Sequence, residues 1–235
     1  MEHNCILCSE SLFCENELLY NICIDCIALL EDQFFNKNFD KSCPICCLPT
    51  LSNDNCINYS EQTLSVIVKK QSCFFYTGII KELITYYKFK NIIQLSKIFS
   101  HYILKALVNL NKYIILIPIP GNPKNIRKRG WDQVLEIAKN IKHDQIVVHI
   151  LLKQKKNHKQ QKKLDKSQRI IQAKNKYSID KKILRKVKED LQTFEQYQVL
   201  LLDDIITTGA TLESAASVII NELKVSIYAI TLAMD

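Results

Sequence analysis

The chain has 235 residues, 47% of them hydrophobic, with ten cysteines and a formal net charge of +8. That length suits one ordinary domain plus a small module, or one large domain, and the apolar fraction lets a real core form. The longest apolar runs, Ile114–Ile117 and Val199–Leu202, are far too short to span a bilayer, and Met1–Leu12 has neither a basic region nor a long apolar stretch. A soluble, cytoplasmic protein without a membrane span is therefore expected, and a secreted disulfide scaffold is not.

Residues 1–60 are cysteine-rich and loop-rich, with little periodicity. Nine of the ten cysteines lie between Cys5 and Cys56, and the tenth is Cys73. Cys5-x2-Cys8 and Cys23-x2-Cys26 are separated by fourteen residues. Two such turns deliver four thiolates to one tetrahedral zinc ion, and a site closed by four thiolates is structural. Buried free thiols and an iron–sulfur cluster remain the alternatives. Cys43-x2-Cys46 with Cys56 looks like a second, eroded site: Tyr59 stands where a fourth ligand is expected, and Cys47 is constrained by its neighbour. Cys14 and Cys73 have no partner pattern and read as ordinary thiols. His3 lies near Cys5, where four cysteines already suffice; His101, His143, His149 and His158 carry no ligand pattern.

From Cys73 onward the pattern changes. Gly78–Phe89 and Ile92–Leu110 have helical spacing of apolar residues. Tyr113–Ile117 is a short β-branched run ended by Pro118 and Pro120, a buried strand entering a loop. A helix is expected over Trp131–Ile141 and a strand over Gln145–Leu152. A basic loop or flap follows at Lys153–Lys163, then helices at Ser167–Lys174 and Ile183–Gln192. Gln198–Leu202 reads as a strand, Thr211–Leu223 as a helix and Val225–Ala233 as a last strand. Helices alternating with fully apolar strands argue for an α/β fold with a mostly parallel sheet covered on both faces. Between Lys153 and Lys188 fifteen Lys or Arg stand against two acids. Such a segment is either a solvated loop or a surface for a polyanion.

The sharpest signal is Val199-Leu-Leu-Leu-Asp203-Asp204-Ile-Ile-Thr207-Thr208-Gly209-Ala210-Thr211. A buried strand ends in two acids, where ligands bind in open α/β sheets. A short loop containing Gly209 then opens a helix. Backbone N–H groups at that helix start, with the hydroxyls of Thr207, Thr208 and Thr211, make an anion site. Acids beside a phosphate cradle make sense if they grip hydroxyls and a metal ion a few ångströms away. A ribose with a phosphate at one end and vicinal hydroxyls at the other fits that layout.

This segment resembles, without gaps, the phosphoribosyl-pyrophosphate (PRPP) binding motif of type I phosphoribosyltransferases. Ile117-Pro-Ile-Pro120 followed by Arg127-Lys-Arg-Gly-Trp-Asp-Gln133 is similar to the P-x-P…R-x-R-G-F-N-Q segment of ComF proteins. Gln161-x-x-Leu164-x-x-x-x-Arg169 and the stretch from Gly78 through Tyr87-Lys-Phe-Lys90 resemble two further ComF elements. Trp131 and Asp132 stand where that family has Phe and Asn, and Gln172 where it has Asn. The resemblance implies a phosphoribosyltransferase-like PRPP-binding domain over 61–235 behind a zinc module over 1–60. It further implies that Asp203 and Asp204 hold the ribose hydroxyls and Thr207–Thr211 the 5-phosphate. Arg129, and less so Arg127 and Lys128, would reach the pyrophosphate, with Mg²⁺ arriving alongside PRPP. A ComF protein is expected to act in DNA uptake during natural transformation, with single-stranded DNA and the uptake machinery as partners. Three readings follow: a Mg-dependent phosphoribosyltransferase of unspecified acceptor, a non-catalytic single-stranded-DNA-binding competence factor, or a PRPP-sensing regulator of nucleotide metabolism.

Overall fold

The computed structural model describes residues 4–35, 66–107, 112–155 and 176–235. Five strands form one parallel sheet: β1 (Ile67–Phe75), β2 (Tyr113–Pro118), β3 (Ile146–Val148), β6 (Tyr197–Ile206) and β7 (Ile227–Met234), in the order β1-β7-β6-β2-β3. Every neighbouring pair is parallel. Val199–Leu202 in the central strand are fully buried, as a parallel strand covered on both faces requires.

Two cores flank the sheet. One packs α3 (Gly78–Phe89), α4 (Leu95–Leu107) and α6 (Gln133–Asn140). In α4, Leu95, Ile98, Phe99, Tyr102, Ile103 and Ala106 recur at helical spacing and are all buried. The other core packs α7 (Lys181–Thr193), α8 (Ala210–Leu223) and a two-stranded antiparallel ribbon of β4 (Leu152–Gln154) and β5 (Tyr177–Ile179). The expected α/β sheet with helices on both faces is thus observed.

The connection after β2 leads through α6 on one face to β3, while that after β6 leads through α8 on the other face to β7. The chain order therefore reverses between β2 and β6. A topological switch point of this kind opens a crevice at the carboxyl ends of the strands.

The cysteine segment has more regular structure than its sequence suggests: α1 (Glu15–Tyr20) and α2 (Ile24–Gln33) are both helical. It joins the first core rather than standing apart. Leu30 and Ile22 are buried there, and Phe34 rests on Phe74 and Tyr102 with ring centroids 5.6 and 5.2 Å away. Lys105 on α4 pairs with Glu31, and Phe35 N–H donates to the Cys73 carbonyl of β1 at 2.8 Å.

One expectation is corrected, and two elements appear where none was expected. The single strand over Gln145–Leu152 is two strands in different sheets, β3 and β4. The apolar run is broken where Ile150 is half exposed while Leu151 and Leu152 are both buried, a pattern one alternating strand cannot give. The His149 ring, held on Asp190 of α7 at 2.5 Å, fixes that break. Strand β1 lies where no element was expected, because Lys69–Ser72 interrupt the apolar run that would have marked it. Arg127–Arg129 lie in a short helix, α5 (Pro123–Arg129), where no element was expected. Asn122 caps that helix by accepting from Lys124 N–H, with Pro123 opening it. The helix expected at Ser167–Lys174, the domain boundary at residue 60, most of the basic segment, and Cys43, Cys46, Cys47 and Cys56 lie outside the described residues.

Candidate functional site

Strand β6 carries Asp203 and Asp204 before its end at Ile206, at the carboxyl side of the switch point. Consecutive strand residues point to opposite faces, so the two acids address the two sides of the crevice. Asp204 turns toward α3 and α6. Its Oδ2 accepts from the Lys88 ammonium at 2.6 Å and from Gln133 Nε2 at 2.7 Å, and its Oδ1 from Ile205 N–H at 2.7 Å. Gln133 in turn accepts from the Arg129 guanidinium, which lies 5.1 Å over the Trp131 ring. Asp203 accepts from Asp204 N–H at 2.9 Å and acts electrostatically on the buried Tyr177 hydroxyl of β5. Burial first, and then the neighbouring charge of Asp204, hold the Asp203 carboxyl well above the ordinary carboxylate range.

The next turn builds an anion cradle. Gly209 caps α8 with φ of +73°, a conformation that strains any residue with a Cβ. Thr207 and Thr208 are exposed on the approach to it, and Ala210 N–H points toward Thr208 Oγ1 at 3.4 Å. A small concavity is lined by Asp203 and by residues 205–212, which places all of Thr207, Thr208, Gly209, Ala210 and Thr211 at one spot. Lys70 of β1 reaches the same loop: a Cβ on Gly209 would lie 3.7 Å from its ammonium, which pairs with Glu213 Oε1 of α8 at 2.7 Å. Helix start, hydroxyls and a neighbouring cation together suit a phosphate.

Asp132, where an amide was expected, is the N-cap of α6. Its Oδ1 accepts from Val134 and Leu135 N–H, and its Oδ2 from Gly121 N–H at 2.8 Å. It ties the loop after β2 to the helix that presents Gln133. Tyr87 OH, donating to the Gln133 carbonyl at 2.7 Å, and Asn91, accepting from the Trp131 indole, pin the end of α3 to the same segment.

The second cluster lies in the N-terminal segment. The Sγ atoms of Cys5, Cys8, Cys23 and Cys26 all lie within 4.8 Å of one another, and Cys8 and Cys23 are 3.5 Å apart. A tetrahedron with zinc–sulfur bonds of about 2.3 Å has sulfur–sulfur edges of about 3.8 Å, so the four thiols fit that ion. Burial pushes the Cys5 thiol up, but N–H groups of Cys23, Cys8 and Leu7 outweigh it and bring it down to about 7. Burial and neighbouring thiols raise Cys23 and Cys26. Glu17 holds the frame: its buried carboxylate accepts from Phe13, Cys14 and Ile24 N–H at 2.9, 3.0 and 2.8 Å. Those three bonds lower it to about 2. One side chain thus ties the start of α1 to the turn that carries Cys23.

No family model matches the chain. Competence protein ComFC of Streptococcus pneumoniae (strain ATCC BAA-255 / R6) is 25% identical over 224 residues, covering 88% of this chain and 89% of that protein. Competence protein ComFC of Bacillus subtilis (strain 168) is 23% identical over 210 residues, covering 86% of this chain and 79% of that protein. The chain is thus similar to ComFC proteins over most of its length.

In this ComFC-like chain the structure sets Cys5, Cys8, Cys23 and Cys26 at one point, and Asp203, Asp204, Thr207–Thr211 and Arg129 around one crevice. Arg127 and Lys128 stay exposed, with no contact to that crevice among the described residues. Sequence reasoning missed Lys70, Lys88, Gln133 and Glu17. Lys70 had no signal, since the polar run Lys69–Ser72 hides the strand that carries it. Gln133 and Lys88 lay inside recognised segments but had no role assigned. Glu17 is three residues after its N-cap, Cys14, the position where a carboxylate reaches back to the cap. No helix among the described residues is long and apolar enough to cross a membrane.

Proposed function

We propose that the protein binds PRPP in the crevice between β2 and β6 and acts in DNA uptake during natural transformation, as a cytoplasmic factor with a structural zinc module. The observation that carries the PRPP reading is the join of Asp203–Asp204 to the Thr207–Thr211 cradle at a switch point, with the cations Lys88 and Arg129 on the far side of the acids. An elongated ligand with a phosphate at one end, hydroxyls in the middle and a second anionic group at the other end matches that order. Residues 207–211 hold the 5-phosphate through N–H groups and hydroxyls, and the two carboxylates accept from the ribose hydroxyls. Arg129, steadied by Gln133 and Trp131, faces the pyrophosphate end with a donor fork suited to two-point phosphate contact. Carboxylate oxygens are the donor type that Mg²⁺ takes, and the ion, when bound with PRPP, offsets charge on the pyrophosphate.

The cysteine cluster supplies folding energy and not chemistry, because four thiolates leave zinc no open position. The DNA-uptake role comes from the ComFC relatives and from the basic stretch between Lys153 and Lys188. If the protein is an enzyme, a nitrogen nucleophile displaces pyrophosphate from PRPP; if it is a binding factor, PRPP is a ligand that it holds without turnover. The deciding experiment is titration calorimetry with PRPP and Mg²⁺, followed by a pyrophosphate-release assay over a panel of bases. Binding with release identifies a phosphoribosyltransferase, and binding without release a PRPP-dependent competence factor. Absence of PRPP binding sinks the reading.

A further inference from the structure

Asp204 cannot receive a ribose hydroxyl on the side where it is already occupied. A carboxylate oxygen offers about two acceptor positions. Oδ2 fills both, with the Lys88 ammonium at 2.6 Å and Gln133 Nε2 at 2.7 Å, and Oδ1 has spent one on Ile205 N–H. Both partners of the ion pair are largely withdrawn from water, with side-chain exposures of 16% for Lys88 and 10% for Asp204. The chain on either side of Lys88 is anchored. Tyr87 before it is buried and donates to the Gln133 carbonyl, and Asn91 after it accepts from Trp131. The Lys88–Asp204 pair is therefore part of the ligand-free crevice, with the backbone anchored on both sides and the ammonium carried on a flexible stem.

We infer that Lys88 is a specificity-determining residue of this site: it occupies Asp204 in the empty protein and is exchanged onto the pyrophosphate when a diphosphate-bearing sugar enters. This inference rests on the PRPP reading. One arriving hydroxyl finds the remaining position on Oδ1, but a vicinal pair gripping the same carboxylate must displace a donor from Oδ2. Gln133 is anchored by Arg129 on its other amide atom, so Lys88, on a flexible stem, is the group free to leave. A displaced ammonium in a half-dry crevice needs a new anion. PRPP supplies one beside Arg129, at the end of the crevice where both cations converge. Ribose 5-phosphate offers the same 5-phosphate and ring hydroxyls but no anion there, so its entry leaves the ammonium unpaired. Lys88 thus penalises the truncated sugar and rewards the full one.

The test measures affinities of the full chain for PRPP with Mg²⁺ and for ribose 5-phosphate, in wild type, Lys88→Met and Lys88→Arg. Removal of one charge-assisted hydrogen bond to phosphate corresponds to about a tenfold or greater fall in PRPP affinity in Lys88→Met. Ribose 5-phosphate affinity is expected to stay level or rise in the same variant, so that the preference for PRPP collapses. Lys88→Arg, which keeps the charge, is expected to retain most of that preference. Zinc content and circular dichroism check folding; should Lys88→Met not fold, Lys88→Gln, a neutral donor to Asp204, takes its place. Equal losses for both ligands, as a purely structural role would give, overturn the inference, and so does an unchanged ratio. Failure of the wild type to bind PRPP at all instead brings down the PRPP reading and this inference with it.

Discussion

The four thiols of the N-terminal cluster come from two short turns between Cys5 and Cys26, whereas the groups around the acid pair come from β1, α3, the α5–α6 segment and β6. The first site is assembled by local chain geometry, with four thiols that could hold one metal ion. The second is assembled by the fold, and its charges are already balanced within it: Lys88 on Asp204, Lys70 on Glu213. The two sites are not independent, since Cys23, Cys26 and Leu30 share a core with Phe74, Tyr102 and Leu202. The locally built cysteine cluster therefore packs against one face of the sheet whose rim carries the crevice.

The largest expected effect breaks the first site. Cys23→Ser with Cys26→Ser removes two of four ligands and releases the metal, because ligand loss in such a site is loss of folding energy. Purified wild type is expected to carry about one zinc per chain. The double variant should carry none and be nicked readily by protease within residues 4–35. Metal content unchanged by the double substitution counts against a tetrathiolate site.

A smaller effect tests whether Glu17 organises that site. Its carboxylate is lowered to about 2 by three N–H groups, from an ordinary value of 4.5. A depressed acid stabilises the fold fully above its unfolded value and loses that contribution as pH falls toward its folded value. Glu17→Gln is thus expected to weaken zinc binding by about tenfold near neutral pH, as loss of a supporting group around a metal site does. Its deficit in urea stability relative to wild type should shrink as pH drops below 4.5. A deficit that does not change with pH would assign the role of Glu17 to shape and not to charge.

The smallest effect concerns the basic segment, most of which lies outside the described residues. Changing Lys155, Lys156, Lys159, Lys162 and Lys163 to Gln should reduce single-stranded DNA affinity. It should also flatten the dependence of log affinity on log salt, by about 0.7 for each phosphate that is no longer neutralised. If these lysines instead cover PRPP, the variant loses PRPP affinity and keeps its DNA affinity and slope.

How legible each region was in the sequence follows from the same contrast. Ligand spacing in the cysteine turns is written in adjacent residues, and so is the strand–acid–loop–helix run from Val199 to Thr211. Lys88 and Gln133 could not be placed, because Gln133 and Asp204 are 71 residues apart and meet only through the reversal of strand order between β2 and β6. Asp132 looked like a missing amide; its two oxygens satisfy three backbone N–H groups, a capping role that a carboxylate fills as well as an amide. Helices α1 and α2 escaped notice because each is short, and their buried positions are Glu17 in α1 and Cys26 with Leu30 in α2, too few apolar residues to give an amphipathic pattern.

The central claim is that the acid pair on β6 belongs to a phosphoribosyl-pyrophosphate site, and titration calorimetry of Asp203→Ala with Asp204→Ala tests it most directly. PRPP binding in the presence of Mg²⁺ should fall below detection while the protein keeps about one zinc per chain, since the thiol cluster is built without either acid. PRPP affinity equal to that of wild type in a folded, zinc-bearing double variant would contradict it.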